Sequence, residues 1–178
     1  MTDVGIVLAA GEGRRFGGPK APYVFHGERL VDRAVRVLRE GGCDFVIVVL
    51  GAWHGEVPNA EVVTNPDWSS GMASSLRTAL VHAHSIPADR AVVSLVDLPG
   101  LTPAAVERLR HCASPLAAAA YAGERGHPVL IHRDHWEALS SNLTGDSGAR
   151  AYLTQHGVTL VEVGDIASGD DLDLRPAT

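Results

Sequence analysis

Short apolar runs alternate along the chain with segments in which apolar residues recur every three or four positions. The runs at 4–10, 44–50 and 91–96 are almost free of polar side chains. Such continuous runs are typical of strands buried on both faces of a parallel sheet. Residues 30–40 place their apolar side chains on one helical face, and the glycine pair at 41–42 predicts the end of that helix.

The remaining pattern predicts three more helices and four more strands. Thr102 is a good N-cap and Pro103 suits the first helical position, so a helix is expected to begin there. The predicted helices span 72–84, 103–111 and 146–156, and the predicted strands span 61–64, 116–121, 128–131 and 158–163. The acidic segment 169–178 is expected to be an extended loop.

Strands that alternate with helices predict an α/β fold, a three-layer sandwich around a mostly parallel, Rossmann-like sheet. Neither an internal repeat nor a linker interrupts the pattern, so residues 1–178 are expected to form one domain. In such sheets, ligands bind outside the carboxyl ends of the strands. Two loops, 11–20 and 97–100, follow predicted strands and are expected at that edge.

Composition narrows the classes of ligand that the protein could bind. The formal net charge of −6 argues against a nucleic-acid-binding surface, so any anion must be bound by a local basic cluster. Two cysteines without metal-ligand spacing predict neither a disulfide framework nor a cysteine-bound metal. The chain has no basic, signal-like start and no apolar run of about 18 residues, so a cytoplasmic protein without a membrane span is expected.

The loop at 11–20 has the composition of a phosphate-binding segment. Its sequence, GEGRRFGGPK, holds four glycines within eight residues, which lets backbone N–H groups approach phosphate oxygens. Arg14, Arg15 and Lys20 add positive charge. Together these features favour a triphosphate site.

Two other glycine-rich phosphate sites fit the loop less well. A dinucleotide site has Gly-x-Gly-x-x-Gly running directly into a helix, whereas here three residues separate Gly13 from Gly17 and Pro19 obstructs a smooth helix entry. A P-loop requires Gly-Lys-Ser/Thr, whereas Pro19 precedes the lysine and Ala21 replaces the hydroxyl residue.

The run L-A-A-G-x-G-x-R-F-G-x-x-K at 8–20 resembles the N-terminal motif of the MobA-like nucleotidyltransferases, and within them the molybdenum cofactor cytidylyltransferases. The resemblance implies a nucleotide-diphospho-sugar transferase-like fold. It also implies transfer of a nucleoside monophosphate from an NTP to a phosphorylated acceptor, with release of pyrophosphate. The residues that would bind the triphosphate are Ala10, Gly11, Gly13, Arg14, Arg15 and Lys20, with Arg15 and Lys20 also expected to act in catalysis.

Two acidic positions resemble the metal-binding motifs of the same family. Asp97 follows a buried strand in a D-x-P context, where the family binds Mg²⁺. The segment 171–173 resembles the family's D-I-D-T-P motif, although Leu174 and Arg175 replace the threonine and proline. Either Asp171 or Asp173 is therefore the expected second ligand, with Asp173 preferred.

Three further motifs carry candidate site residues. Segment 65–75 resembles a G-x-x-x-S motif that lines the family's nucleotide pocket, and Asn65, Gly71 and Ser75 are its candidates, although helix capping alone could explain such residues. By the same resemblance, His127 in the G-x-P-V turn and Arg150 in the G-D-x-G-A-R motif would contact the acceptor. Either could instead be an ordinary surface residue, and Asp146 in the latter motif could cap the helix that follows it.

The resemblance also gives an order of preference for the expected nucleotide and acceptor. The start Leu8-Ala9-Ala10-Gly11 and the G-D-x-G-A-R motif resemble the CTP-using branch, because guanylyltransferases more often carry Gly-Gly after the Leu-Ala. CTP with molybdopterin is the first expectation, GTP with molybdopterin the second, and another phosphorylated acceptor the third. A molybdoenzyme or its maturation factor is an expected partner. A dinucleotide-dependent oxidoreductase and a non-catalytic nucleotide-binding domain remain as other classes.

Overall fold

A seven-stranded sheet forms the central layer of the protein in a computed structural model that describes residues 1–176. In chain order the strands are β1 (Asp3–Leu8), β2 (Val24–Phe25), β3 (Glu28–Arg29), β4 (Phe45–Leu50), β5 (Glu61–Thr64), β6 (Arg90–Leu95), β7 (Leu116–Tyr121), β8 (Glu124–His132) and β9 (Thr159–Glu162). The sheet has the order β5-β4-β1-β6-β8-β7-β9, and β2 and β3 form a separate hairpin. Within the seven-stranded sheet, only β8 runs antiparallel to its neighbours, which confirms the mostly parallel sheet.

Helices cover both faces of the sheet. They are α1 (Leu30–Glu40), α2 (Met72–Ala83), α3 (Pro103–Arg110), α4 (Trp136–Asn142) and α5 (Arg150–His156). One apolar core lies under α2, α4 and α5, and the other lies under α1 and α3. Alternate residues of β1 enter the two cores, so the three-layer sandwich is confirmed. Within residues 1–176, no helix is long and apolar enough to cross a membrane.

Strand β1 lies between β4 and β6 and is parallel to both. Leu8 at the end of β1 pairs with Leu95 at the end of β6. The loops that follow these two strands therefore emerge side by side. This register brings loop 11–20 next to Asp97.

Several predicted boundaries were wrong. The first strand ends at Leu8 rather than at residue 10, and the helix predicted at 146–156 begins only at Arg150. Gly145 and Gly148 have positive φ, which prevents helical backbone across this segment. The sequence pattern missed the hairpin, because its strands have only two residues each. It also missed α4, because a two-turn helix shows too little periodicity to be recognised. The predicted tail at 169–178 is confirmed as irregular over 169–176, and its last two residues lie outside the described part of the chain.

Candidate active site

A pocket of about 450 Å³ opens at the carboxyl ends of β1 and β6. One wall is the stretch 8–14, which includes the predicted residues Ala10, Gly11, Gly13 and Arg14. The opposite wall comes from residues between Trp68 and Ser75, together with Asp146. The rest of the lining comes from the end of β6 and the residues after it, Leu95, Val96 and Asp97, together with Lys20.

A tight turn shapes the glycine-rich loop. The carbonyl of Gly13 accepts hydrogen bonds from the N–H groups of Gly17 and Gly18 at 2.8 and 3.0 Å. Gly13 has φ of +63°, and a Cβ there would lie 2.0 Å from the carbonyl oxygen of Gly18. Only glycine fits this position. The side chains of Arg14 and Arg15 are 85% and 80% exposed, and Arg14 pairs with Glu12.

Lys20 is the only lysine in the chain. Its Nζ lies 2.6 Å from Oδ2 of Asp97, and both side chains are only 16% exposed. A compact ammonium at this position can bind phosphate oxygens as a point charge. This ammonium compensates the charge of the Asp97 carboxylate.

The C-terminal segment adds a second carboxylate. The N–H of Leu172 donates to the carbonyl of Asp97 at 2.9 Å, which fixes the tail along the loop after β6. Asp173 then lies with Oδ1 3.7 Å from Nζ of Lys20 and Oδ2 3.6 Å from Nη1 of Arg15. Asp171 makes no ion pair within residues 1–176, so Asp173 is the residue that the fold brings beside Lys20 and Asp97.

Asp97 and Asp173 form an oxygen-rich pair that is incomplete as a metal site. Among the described residues, no three His, Cys, Asp or Glu side chains converge to hold a metal ion. Mg²⁺ retains several waters in proteins and is commonly bound by one or two carboxylates plus substrate phosphates. The donor set therefore fits Mg²⁺ that enters together with a nucleotide.

Arg175, which departs from the family motif, joins the tail to the glycine-rich loop. Its guanidinium donates to the carbonyls of Phe16 and Gly17 at 3.1 and 3.3 Å. The same group lies 5.3 Å from the ring centroid of Phe16 and 5.5 Å from that of Tyr23. Because Asp173 is two residues away, these contacts also hold Asp173 near Lys20.

Arg175→Ala should weaken binding of the NTP and metal that the sequence predicts, because the tail and the loop lose their main contact. Loss of two hydrogen bonds and the cation–π contacts at this exposed site should raise the dissociation constant for the predicted CTP about threefold to tenfold. Calorimetric titration with CTP and Mg²⁺ measures this change. Leu174→Ala is the matched control, since that side chain is 66% exposed. Equal affinities for the two variants would contradict the role of Arg175.

Gly71, directly before α2, and Ser75, in the first turn of α2, both line the pocket. Asn65 is buried behind them, and its amide donates to the Oγ atoms of Ser74 and Ser75 at 2.8 and 3.0 Å. Asn65 therefore orients Ser75 and does not itself line the pocket. The N-cap of α2 is Gly71, which provides no side-chain cap.

Asp146 does not cap its own helix, so that expectation was wrong. Helix α5 has Ala149 at its N-cap and no side-chain cap. Instead, Oδ1 of Asp146 accepts a hydrogen bond from the N–H of Met72 at 3.3 Å, at the start of α2. This contact between distant segments brings Asp146 into the pocket wall.

His127 and Arg150 lie outside the pocket lining. The carbonyl of His127 accepts a hydrogen bond from the hydroxyl of Tyr121 at 2.7 Å. Burial lowers the pKa of the His127 imidazole, and the negative charge of Asp97 opposes that shift. The positive charge of Arg150 also acts to lower this pKa. A contact of either residue with the acceptor stays a prediction.

Residues 5–160 match the family model of the MobA-like NTP transferase domain. The chain is 39% identical over 187 residues to a nicotine blue oxidoreductase from Paenarthrobacter nicotinovorans, covering 95% of this chain and 91% of the relative. It is 33% identical over 139 residues to a probable molybdenum cofactor guanylyltransferase from Opitutus terrae, covering 77% of this chain and 64% of that protein.

Several solved structures have the same fold as this chain. Rv0371c from Mycobacterium tuberculosis H37Rv superposes with a TM-score of 0.83 at 29% identity, covering 98% of this chain and 93% of that one. A manganese complex of Rv0371c gives 0.76 at 27% identity, covering 92% and 89%. A CMP:2-keto-3-deoxy-manno-octonic acid synthetase with CTP gives 0.71 at 15% identity over 98% and 94%, which is a likeness of fold alone. The chain is thus a nucleotidyltransferase that belongs to the MobA-like NTP transferase family.

Proposed function

We propose that the protein transfers CMP from CTP to a phosphorylated small molecule, with molybdopterin or the molybdenum cofactor as the first choice, and releases pyrophosphate. The observation that carries this proposal is the convergence of Lys20, Asp97 and Asp173 beside the glycine-rich loop. Phosphate-binding backbone, a fixed cation and two carboxylates are the groups that nucleotidyl transfer requires.

In the proposed reaction, a phosphate oxygen of the acceptor attacks the α-phosphorus of CTP in line. A new P–O bond forms as the bond to the β-phosphate oxygen breaks, and pyrophosphate leaves with that electron pair. The backbone N–H groups of Gly11 and Gly13 bind the phosphates, while Lys20 and Arg15 compensate their charge. Asp97 and Asp173 would hold Mg²⁺, which supplies further positive charge to the phosphate oxygens when bound.

The choice of CTP over GTP rests on the alanines before Gly11 and on the G-D-x-G-A-R motif at 145–150. The relative named as a guanylyltransferase makes GTP the alternative. His127 and Arg150 are proposed to contact the acceptor. Gly71 and Ser75 are proposed to form the nucleoside end of the site, with Asn65 behind them orienting Ser75.

An oxidoreductase is a second candidate, because one relative carries that name at 39% identity. The loop itself argues against a dinucleotide, since its glycine spacing and Pro19 depart from the dinucleotide pattern. A non-catalytic nucleotide-binding domain is a third candidate and predicts binding without pyrophosphate release.

Pyrophosphate release measured with CTP, GTP, ATP and UTP, with molybdopterin and Mg²⁺ supplied, tests the proposal. Release that is fastest with CTP is the expected result, and release that is fastest with GTP would establish the alternative. NADH titration followed by fluorescence is the parallel arm. Tight NADH binding without pyrophosphate release from any NTP would overturn the transferase. A cytoplasmic location and a molybdoenzyme or maturation-factor partner stay predictions.

A further inference from the structure

The two ends of the pocket differ in chemistry. Asp97 follows β6 on one side of β1, whereas Trp68 follows β5 on the other side. The glycine-rich loop after β1 lies between them. Because Lys20, Asp97 and Asp173 lie on the β6 side, a triphosphate bound there directs its base toward Trp68 and the start of α2. This step rests on the proposed function.

Three contacts hold Asp146 at the end of the pocket near Trp68 and α2, where the base would bind. Its Oδ1 accepts from the N–H of Met72 at 3.3 Å, and the carbonyl of the preceding Gly145 accepts from Ala73 at 2.9 Å. A Cβ at Gly71 would lie 2.5 Å from Oδ1 of Asp146. Only glycine at position 71 therefore lets the carboxylate come this close to the backbone. The positive end of α2 favours the negative charge here.

Asp146 has the chemistry needed to recognise a nucleotide base by hydrogen bonding. Its second oxygen, Oδ2, accepts no hydrogen bond within the described part of the chain, and the side chain lines the pocket. Trp68 and Met72 add apolar surface to the same wall, which suits a planar ring. An ionised carboxylate only accepts hydrogen bonds, so the base edge that faces it must donate one.

We infer that Asp146 is a specificity-determining residue that selects NTPs with an exocyclic amine on the base, cytosine first, and rejects uracil. Cytosine presents its 4-amino group as a donor, whereas uracil carries an acceptor oxygen at the same position. Guanine and adenine also carry amines, so Asp146 separates CTP from UTP and leaves the choice among amine-bearing bases to other residues.

Asp146→Asn gives the sharpest test, because it replaces a carboxylate oxygen with an amide donor. Asn Oδ1 can still accept from Met72, so the start of α2 keeps its contact. Since a hydrogen bond to a charged group is lost, affinity for CTP should fall about tenfold or more, while affinity for UTP should rise. Calorimetry with CTP and with UTP, in Mg²⁺ and without acceptor, measures the ratio of the two dissociation constants.

Asp134→Asn provides the same chemical change at a residue outside this pocket and should leave the ratio unchanged. Asp146→Ala should lose the discrimination without gaining affinity for UTP. A wild-type ratio in Asp146→Asn, with CTP binding intact, would overturn the role of Asp146 and leave the proposed transferase standing. Wild-type protein that binds UTP as tightly as CTP would also overturn the role of Asp146 and leave the proposed transferase standing. Absence of NTP binding by wild-type protein would overturn both.

Discussion

Lys20→Ala should lower the rate of pyrophosphate release at least about 100-fold, as expected when a charge contact to the transition state is removed. The Lys20 Nζ is nearly buried between two carboxylates, at 2.6 Å from Asp97 and 3.7 Å from Asp173. Because the side chain is already held there, it needs little reorganisation to contact phosphate oxygens. No second lysine exists in the chain to replace its compact ammonium.

Steady-state kinetics with CTP and the acceptor measure the loss, and a melting curve checks that the variant is folded. Arg39→Ala is a suitable control, since that side chain contacts the Asn59 carbonyl and is absent from the pocket lining. Amine-directed labelling adds an independent readout, because only Lys20 and the N-terminal amine can react. Bound CTP should protect Lys20. A rate effect below threefold would remove Lys20 from the site.

The loop and Asp97 were predictable from the sequence because each depends on local information. A buried apolar strand followed by glycines and cations marks the end of β1, and a second strand followed by an aspartate marks the end of β6. Parallel pairing of neighbouring strands then brings the two strand ends together. The same reasoning explains why the layers and most elements were predicted correctly.

The contacts of Asp146 and Arg175 were not predictable in the same way. Asp146 bonds to Met72, 74 residues earlier, and Arg175 bonds to Phe16, 159 residues earlier. Each lies in irregular backbone, where no hydrophobic period reports which surface the segment will cover. Asp146 also precedes a helix, so local capping rules pointed to the wrong partner.

Asp97→Asn should abolish the proposed Mg²⁺-dependent reaction. Asparagine can still accept the hydrogen bond from Lys20, so the fold around the 2.6 Å contact should persist. The substitution removes one of the two carboxylates beside the glycine-rich loop, and no third acidic or histidine ligand converges on them within residues 1–176. Asp173, whose side chain is 43% exposed, is then the one carboxylate left beside Lys20, and we expect it to bind the cation too weakly to support the reaction.

Pyrophosphate release across a Mg²⁺ titration, together with Mn²⁺ binding followed by electron paramagnetic resonance, measures this prediction in two ways. Asp173→Asn should raise the Mg²⁺ concentration required for activity, whereas Asp134→Asn, an exposed carboxylate outside the pocket, should behave like the wild type. Asp97→Asn with a normal Mg²⁺ response would refute the metal assignment. If activity is lost while Mn²⁺ binding is unchanged, Asp97 does not bind the metal. The role of Asp97 would then be to position the ammonium of Lys20 through their ion pair.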